Sequence, residues 1–148
     1  AVKLGKQLLI KDQSNSELHY LLGQAYQLDG KPELALMEFI KVNEIGKFTG
    51  VIDEYVFRET IAGLFIQFNQ DEEALKEYLL LIKKDPYNSS HQYMAGELFE
   101  RRGKTENAIS YYLKAIELDK RNHKAQKVYE AVGMTGEHYS TFEWMKKF

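Results

Sequence analysis

An internal repeat constrains the fold of this chain more than any other feature. The segments LGQAYQLDGKPELALMEFIKV (22–42) and AGELFERRGKTENAISYYLKA (95–115) align without a gap, and IAGLFIQFNQDEEALKEYLLL (61–81) aligns with both. Ala74 and Ala108 are 34 residues apart, whereas about five extra residues in segment 46–54 lengthen the preceding interval to 39. A period of this length indicates stacked units that each pack on their neighbours.

Small and turn-forming residues recur at three positions of each unit: Gly23, Gly30 and Ala35; Ala62, Asn69 and Ala74; and Gly96, Gly103 and Ala108. Glycine inside a helix costs up to about 1 kcal/mol, so the first position predicts a close crossing with the alanine at the third. The middle position predicts a left-handed turn that ends the first helix. The second helix then starts at Pro32, or behind Asp71 and Thr105 as caps. Each unit is thus expected to be a helical hairpin.

The pattern L-G-x2-Y, then A-x3-F, then Pro, on a 34-residue period, resembles the tetratricopeptide repeat family. The resemblance implies an all-α fold, a right-handed superhelical array of antiparallel helix pairs (an α-solenoid). It places the repeats at 16–49, 55–88 and 89–122, with an insertion at 50–54. The early Trp of the family is replaced by His19, Arg58 and Gln92, and its closing Pro is kept only as Pro86.

The two ends of the chain depart from complete repeats. Residues 1–15 are interpreted as the second helix of a truncated preceding repeat, so the chain is expected to be a fragment of a longer array; an unusual N-terminal cap is the alternative. Ser14 and Glu17 form a possible capping box for the next helix. Residues 123–148 are expected to form a solvating helix and a tail. Ala125, Tyr129 and Val132 would face the third repeat, and the packing of Trp144 and Phe148 stays open.

Composition and motifs argue against an enzyme, a cofactor or a metal site. The chain has no Cys, and none of its four His residues pairs with another at the i, i+4 spacing of a helical metal site. A net charge of −2 gives no general attraction for nucleic acid. No run of 18 apolar residues or signal peptide is visible, which leaves the localisation open.

The GKT at 103–105 could suggest a phosphate-binding loop. Its glycine follows Gly96 after six intervening residues, where that loop needs four, and HQYMA upstream does not predict a buried strand. We therefore interpret Gly96 as a crossing glycine and Gly103 as a turn glycine.

Arrays of helix pairs bind peptides along their first helices, which line a concave groove. The predicted partner-binding groove consists of Glu17, Tyr20, Gln24, Gln27, Glu59, Ile66, Tyr93, Glu97 and Glu100. This lining is polar, aromatic and mildly acidic, so we expect a protein or peptide partner that is basic or amphipathic. For Tyr20 and Tyr93, packing against neighbouring helices is the alternative. A scaffold that self-associates through the ends of the array is the alternative function, and nucleic-acid binding is disfavoured by the acidic lining.

Overall fold

The structure, a computed structural model, describes residues 1–131, and in this range it contains eight α-helices and no β-strand. In chain order they are α1 (Val2–Lys11), α2 (Ser16–Leu28), α3 (Pro32–Ile45), α4 (Glu54–Gln67), α5 (Asp71–Lys84), α6 (Ser89–Arg101), α7 (Thr105–Leu118) and α8 (His123–Ala131). The prediction of an all-α chain of helix pairs is therefore confirmed.

The helices fall into two compact units. Unit 1 is Ala1–Gln70 and holds α1 to α4, and unit 2 is Asp71–Phe148, of which α5 to α8 are described. In unit 1 the pair α2–α3 corresponds to the first predicted repeat, and in unit 2 the pair α6–α7 corresponds to the third. Each of these pairs packs along its length.

Four helices begin behind an Asn or Asp side chain that accepts a hydrogen bond from the backbone N–H three residues later. These caps are Asn15, Asp53, Asn88 and Asn122, with donor–acceptor distances of 3.0 or 3.1 Å. Asn15 replaces the predicted capping box of Ser14 and Glu17. Because α2 begins at Ser16, Ser14 lies one residue too early to cap it, and its hydroxyl donates to Asp12 Oδ1 at 3.0 Å instead.

The first helix of each predicted pair ends in the left-handed turn that the sequence indicates. Gly30, Asn69 and Gly103 have φ values of 69°, 58° and 72°. Glycine adopts this conformation without steric cost, and Asn is among the most tolerant of the other residues. The backbone therefore takes the left-handed conformation at the three predicted points.

The predicted starts of the second helices are confirmed for α3 and differ in the capping residue for α5 and α7. Pro32 is the first residue of α3, where its missing N–H has no helical partner to lose. Thr105, expected as a cap, is instead the first residue of α7, and the capping position is held by Lys104 without a side-chain hydrogen bond. Asp71 likewise lies inside the first turn of α5, where its charge favours the positive end of the helix dipole.

The atoms nearest to the mid-helix glycines Gly23 and Gly96 belong to aromatic rings of the second helix of each pair. A Cβ on Gly23 would stand 2.7 Å from Cδ1 of Phe39, and a Cβ on Gly96 would stand 2.6 Å from Cε1 of Tyr112. Each of these rings lies one turn beyond the alanine of its helix and packs directly on the glycine. Ala35, Ala62, Ala74 and Ala108 are nevertheless fully buried.

Helix α8 closes the core of unit 2. Ala125 and Tyr129 are fully buried in a cluster with residues of α7, namely Ala108, Ile109, Tyr112, Ala115 and Ile116. This agrees with the solvating helix expected from the sequence. Val132, Trp144 and Phe148 lie outside the described residues.

Candidate partner-binding surface

The residues predicted to bind a partner lie on α2, α4 and α6. We call them the first-helix face, which has one part in each unit. In unit 1 it comprises Glu17, Tyr20, Gln24 and Gln27 of α2 with Glu59 and Ile66 of α4; in unit 2 it comprises Tyr93, Glu97 and Glu100 of α6.

Tyr20 belongs to the core of unit 1. Only 9% of its surface is exposed, and its ring centre lies 5.9 Å from that of Phe39 and 6.3 Å from that of Phe57. Tilted and edge-on contacts of this kind are typical of packed aromatic clusters. The alternative interpretation, packing against neighbouring helices, describes Tyr20 better than an exposed binding residue does.

Polar side chains of α2 form the exposed part of the face around Tyr20. Gln24 donates from Nε2 to the Tyr20 hydroxyl at 2.9 Å, and both Gln24 and Gln27 are exposed. Glu17 is half-buried because its carboxylate lies against Gly50 of the loop that follows α3. On this helix the first-helix face therefore offers two amides and a partly covered carboxylate.

Helix α4 contributes a more open surface. Glu59 is exposed and Ile66 is half-buried. Between them lies Gly63, and a Cβ placed on it would have no neighbour within 4 Å. Val56 lies one turn before Thr60 on the same helix, and half of its surface is exposed. A partner could approach the backbone of α4 closely at Gly63.

In unit 2 the three predicted residues meet around a pair of tyrosines. The Tyr93 ring is half-buried and lies 5.8 Å from the Tyr112 ring at an angle of 37°. Burial raises the pKa of Tyr93 above its usual value, and the carboxylates of Glu97 and Glu100 raise it further. Tyr93 thus presents a neutral hydroxyl and part of an aromatic face next to two acidic residues.

The acidic residues of this cluster have partners within unit 2. Tyr112 donates its hydroxyl to Glu100 Oε2 at 2.6 Å. Burial is the larger cause, and this hydrogen bond the next, of a pKa of Tyr112 above its usual value. Arg101 donates to Glu97 Oε1 at 2.8 Å and to Asp71 Oδ1 at 3.3 Å. Two carboxylates therefore share the Arg101 guanidinium and the third accepts from Tyr112, so the face stays acidic but less so than the sequence alone suggests.

The GKT segment is a turn between two helices. Gly103 has the left-handed φ given above, Lys104 donates its backbone N–H to Phe99 O at 2.9 Å, and Thr105 begins α7. Gly96 lies inside α6 against Tyr112 and cannot form part of a phosphate-binding loop. This geometry matches the crossing and turn roles assigned from the sequence.

A buried histidine in unit 1 escaped the sequence interpretation. His19 Nδ1 lies 2.6 Å from Glu38 Oε2, and its Nε2 lies 2.9 Å from the Gln13 carbonyl oxygen. The pair borders a cavity of about 480 Å³. Its signal was the polar residue at a position where the family has Trp, because a buried imidazole needs hydrogen-bond partners.

Two properties of residues 1–131 bear on other function classes. No group of three or more His, Cys, Asp or Glu side chains in this range could hold a metal ion. None of the helices described there is both long and apolar enough to cross a membrane.

Comparison with known proteins supports the repeat assignment. Residues 92–122 match the family model described as tetratricopeptide repeat. This segment covers most of the α6–α7 pair and its following loop, so the sequence-based resemblance is confirmed there. No curated protein shows significant sequence similarity to the chain.

Solved structures of MamA share the fold. One crystal structure of MamA superposes with a TM-score of 0.66 at 19% identity, over 99% of this chain and 85% of MamA. A second gives 0.67 at 18% identity, over 99% and 76%. MamA from Desulfovibrio magneticus RS-1 gives 0.62 at 16% identity, over 99% and 84%. At these identities the similarity establishes the fold alone.

Proposed function

Because residues 92–122 form a tetratricopeptide repeat, we propose that this chain is a non-enzymatic protein-interaction module that binds a peptide or partner helix on its first helices. Repeats of paired helices use extended surfaces for such binding, and their ligands are commonly peptides or helices. The chemistry of the exposed surface of the repeat indicates the kind of partner.

The Tyr93 site in unit 2 is the observation that carries the proposal. Tyr93 is half-buried and its ring packs on the Tyr112 ring, which makes it a rigid aromatic contact with a polar hydroxyl at its end. Such residues recur among the few that dominate the energy of protein interfaces. Tyr93 therefore replaces the pair Tyr20 and Tyr93 as the proposed centre of binding, since Tyr20 is largely covered by its neighbours.

The charged side chains around Tyr93 indicate which kind of peptide would bind there. Glu97 and Glu100 outnumber Arg101 around Tyr93, so a basic or amphipathic segment fits better than an acidic one. A phosphate backbone would meet repulsion at the same place, which disfavours nucleic acid as the ligand. A lysine or arginine beside an apolar residue is the expected recognition feature.

The experiment begins with selection of binding peptides from a displayed random library on the folded chain. The best peptide is then titrated against wild type and Tyr93→Ala by fluorescence anisotropy. We expect Tyr93→Ala to weaken binding at least fivefold, which corresponds to about 1 kcal/mol, the lower limit for an interface hot spot. Glu97→Gln should also weaken a basic peptide, through the lost charge.

Tyr111→Ala is the matched control. Tyr111 is also a half-buried tyrosine of unit 2, but it lies on the second helix α7 and stacks on Phe99 at 5.3 Å. Its removal should leave peptide affinity within twofold while costing comparable thermal stability. If Tyr111→Ala weakens binding as much as Tyr93→Ala, the loss reflects folding and the proposed surface is wrong.

A further inference from the structure

The Tyr93 site of unit 2, which consists of Tyr93, Glu97 and Glu100, has a chemistry that one segment of this chain complements. The three residues are spaced four and three apart on α6, so they share one face of that helix. The Tyr93 ring is half-buried, and both carboxylates lie close enough to raise its pKa. A ligand for this site therefore needs an apolar group for the ring and a cation for the carboxylates.

Residues 144–148, which lie outside the described residues, combine both features in their sequence, WMKKF. Two lysines stand among three large apolar residues, and the segment has no acidic residue. Trp is frequent among the residues that dominate the energy of interfaces, and it pairs favourably with a second aromatic ring. The segment is thus a lysine-containing apolar run of the kind expected to bind at Tyr93.

The chain between α8 and this segment is long enough to reach the site. Val128 of α8 and Tyr93 of α6 both pack against the same core cluster of unit 2. Residues 132–143 separate α8 from Trp144. At about 3.3 Å per residue, a segment of this length spans up to about 40 Å when extended. The 13 residues of α6 are about 20 Å long, so residues 144–148 can reach any point along this helix.

We propose that residues 144–148 bind the Tyr93 site of the same chain, with Trp144 on the Tyr93 ring and the two lysines beside the carboxylates. The inference rests on the proposed function, because it assigns a ligand to the same surface. A tethered ligand acts at an effective concentration on the order of 1 mM, so weak contacts are enough to occupy the site. A peptide from another protein must displace the segment, which therefore acts as an internal competitor.

The first experiment uses the fluorescence of Trp144, which is the single tryptophan of the chain. In the full chain we expect Trp144 to be protected from acrylamide quenching, relative to a synthetic peptide with the sequence of residues 138–148. Tyr93→Ala should abolish this protection, because the ring on which the indole packs is removed. Tyr111→Ala is the control of similar destabilisation and should leave the protection unchanged. Far-UV circular dichroism checks that both variants stay folded.

The second experiment measures competition with an outside ligand, the library-selected peptide that tests the proposed function. In the double variant Lys146→Glu/Lys147→Glu this peptide should bind about tenfold tighter than to wild type, as expected if the segment occupies the site about 90% of the time. Lys124→Glu/Lys127→Glu is the matched control. It makes the same change of charge at two exposed lysines of α8, and it should leave the affinity unchanged.

Three results would overturn the proposal. They are quenching of Trp144 in the wild-type chain as efficient as in the free peptide, protection of Trp144 that survives Tyr93→Ala, and loss of protection on dilution together with dissociation of a dimer in light scattering. In the last case a second copy would supply the segment. Failure of the proposed function has a different signature, because the selected peptide would then bind equally to wild type and Tyr93→Ala.

Discussion

Among the described residues, α1 packs mainly on α2 and α8 mainly on α7, but the two helices differ in how far their apolar side chains are buried. In α8 the apolar Ala125 and Tyr129 are fully buried, and the exposed positions are polar: His123, Lys124, Lys127 and Glu130. In α1 only Leu9 is buried, while Leu4, Leu8 and Ile10 remain exposed.

The difference follows from how many faces of each helix are apolar. The residues HKAQKVYE of α8 place their apolar side chains on one stripe, which a single partner helix covers. The residues VKLGKQLLIK of α1 place Leu9 toward α2 and Leu4 and Leu8 on a second face. A helix with two apolar faces needs two partners, so α1 leaves apolar surface exposed where α8 does not.

The largest expected contrast is between the deletion of one apolar side chain in each helix. Tyr129→Ala should lower the free energy of unfolding by about 3–5 kcal/mol, because it empties the centre of the unit 2 core. Leu4→Ala should change it by less than about 0.5 kcal/mol, since most of that side chain is exposed. Urea denaturation followed by circular dichroism measures both. A loss of several kcal/mol for Leu4→Ala would show that the second face of α1 is already covered.

A pair of glycines gives the next contrast. Gly96→Ala should cost about 1–3 kcal/mol, because the new methyl group meets the Tyr112 ring at 2.6 Å. For Gly5→Ala the nearest atom is Leu22 Cδ1 at 3.3 Å, the end of a side chain that can shift. The gain in helix propensity, about 0.5–1 kcal/mol, should then leave Gly5→Ala neutral or stabilising. Thermal melts of the two variants compare them directly, and equal losses would contradict the assigned contacts.

A third contrast concerns alkaline pH and α8. Burial raises the pKa of Tyr129 to about 12, while an unfolded tyrosine titrates near 10. Between these values the unfolded chain has lost the proton that the folded chain keeps, so stability present below pH ~10 falls as the pH rises toward ~12. Tyr129→Phe should lose less stability than wild type over this interval in urea titrations. An identical pH dependence of the two proteins would contradict a buried, neutral Tyr129.

The repeat allowed much of the fold to be predicted, because small residues and turns leave local signals. Gly30, Asn69 and Gly103 stand where only residues tolerant of positive φ fit, and their spacing alone indicated three reversals. The burial of Ala125 and Tyr129 followed from the same periodicity. The family match at residues 92–122 falls in the region where the pattern is most complete.

The candidate site could be predicted less well, because side-chain direction depends on neighbours that a repeat register does not include. Tyr20 and Tyr93 hold equivalent positions, yet the Phe39 and Phe57 rings enclose Tyr20. The Asn caps at 15, 88 and 122 recur in the repeat register, and this regularity is a better signal than the capping box expected from Ser14 and Glu17. The pairing of His19 with Glu38 joins residues of two helices, and neither residue indicates the other in sequence.

The open position at Gly63 has a practical consequence for observing partners. The chain contains no cysteine, so Gly63→Cys would create a single thiol for a fluorescent or spin label. A Cβ there would have no neighbour within 4 Å, and replacement of a mid-helix glycine favours the helix. The label would lie on the first-helix face of unit 1 between Glu59 and Ile66. It would report the arrival of a ligand as a change in its own polarity or mobility, before any partner has been identified.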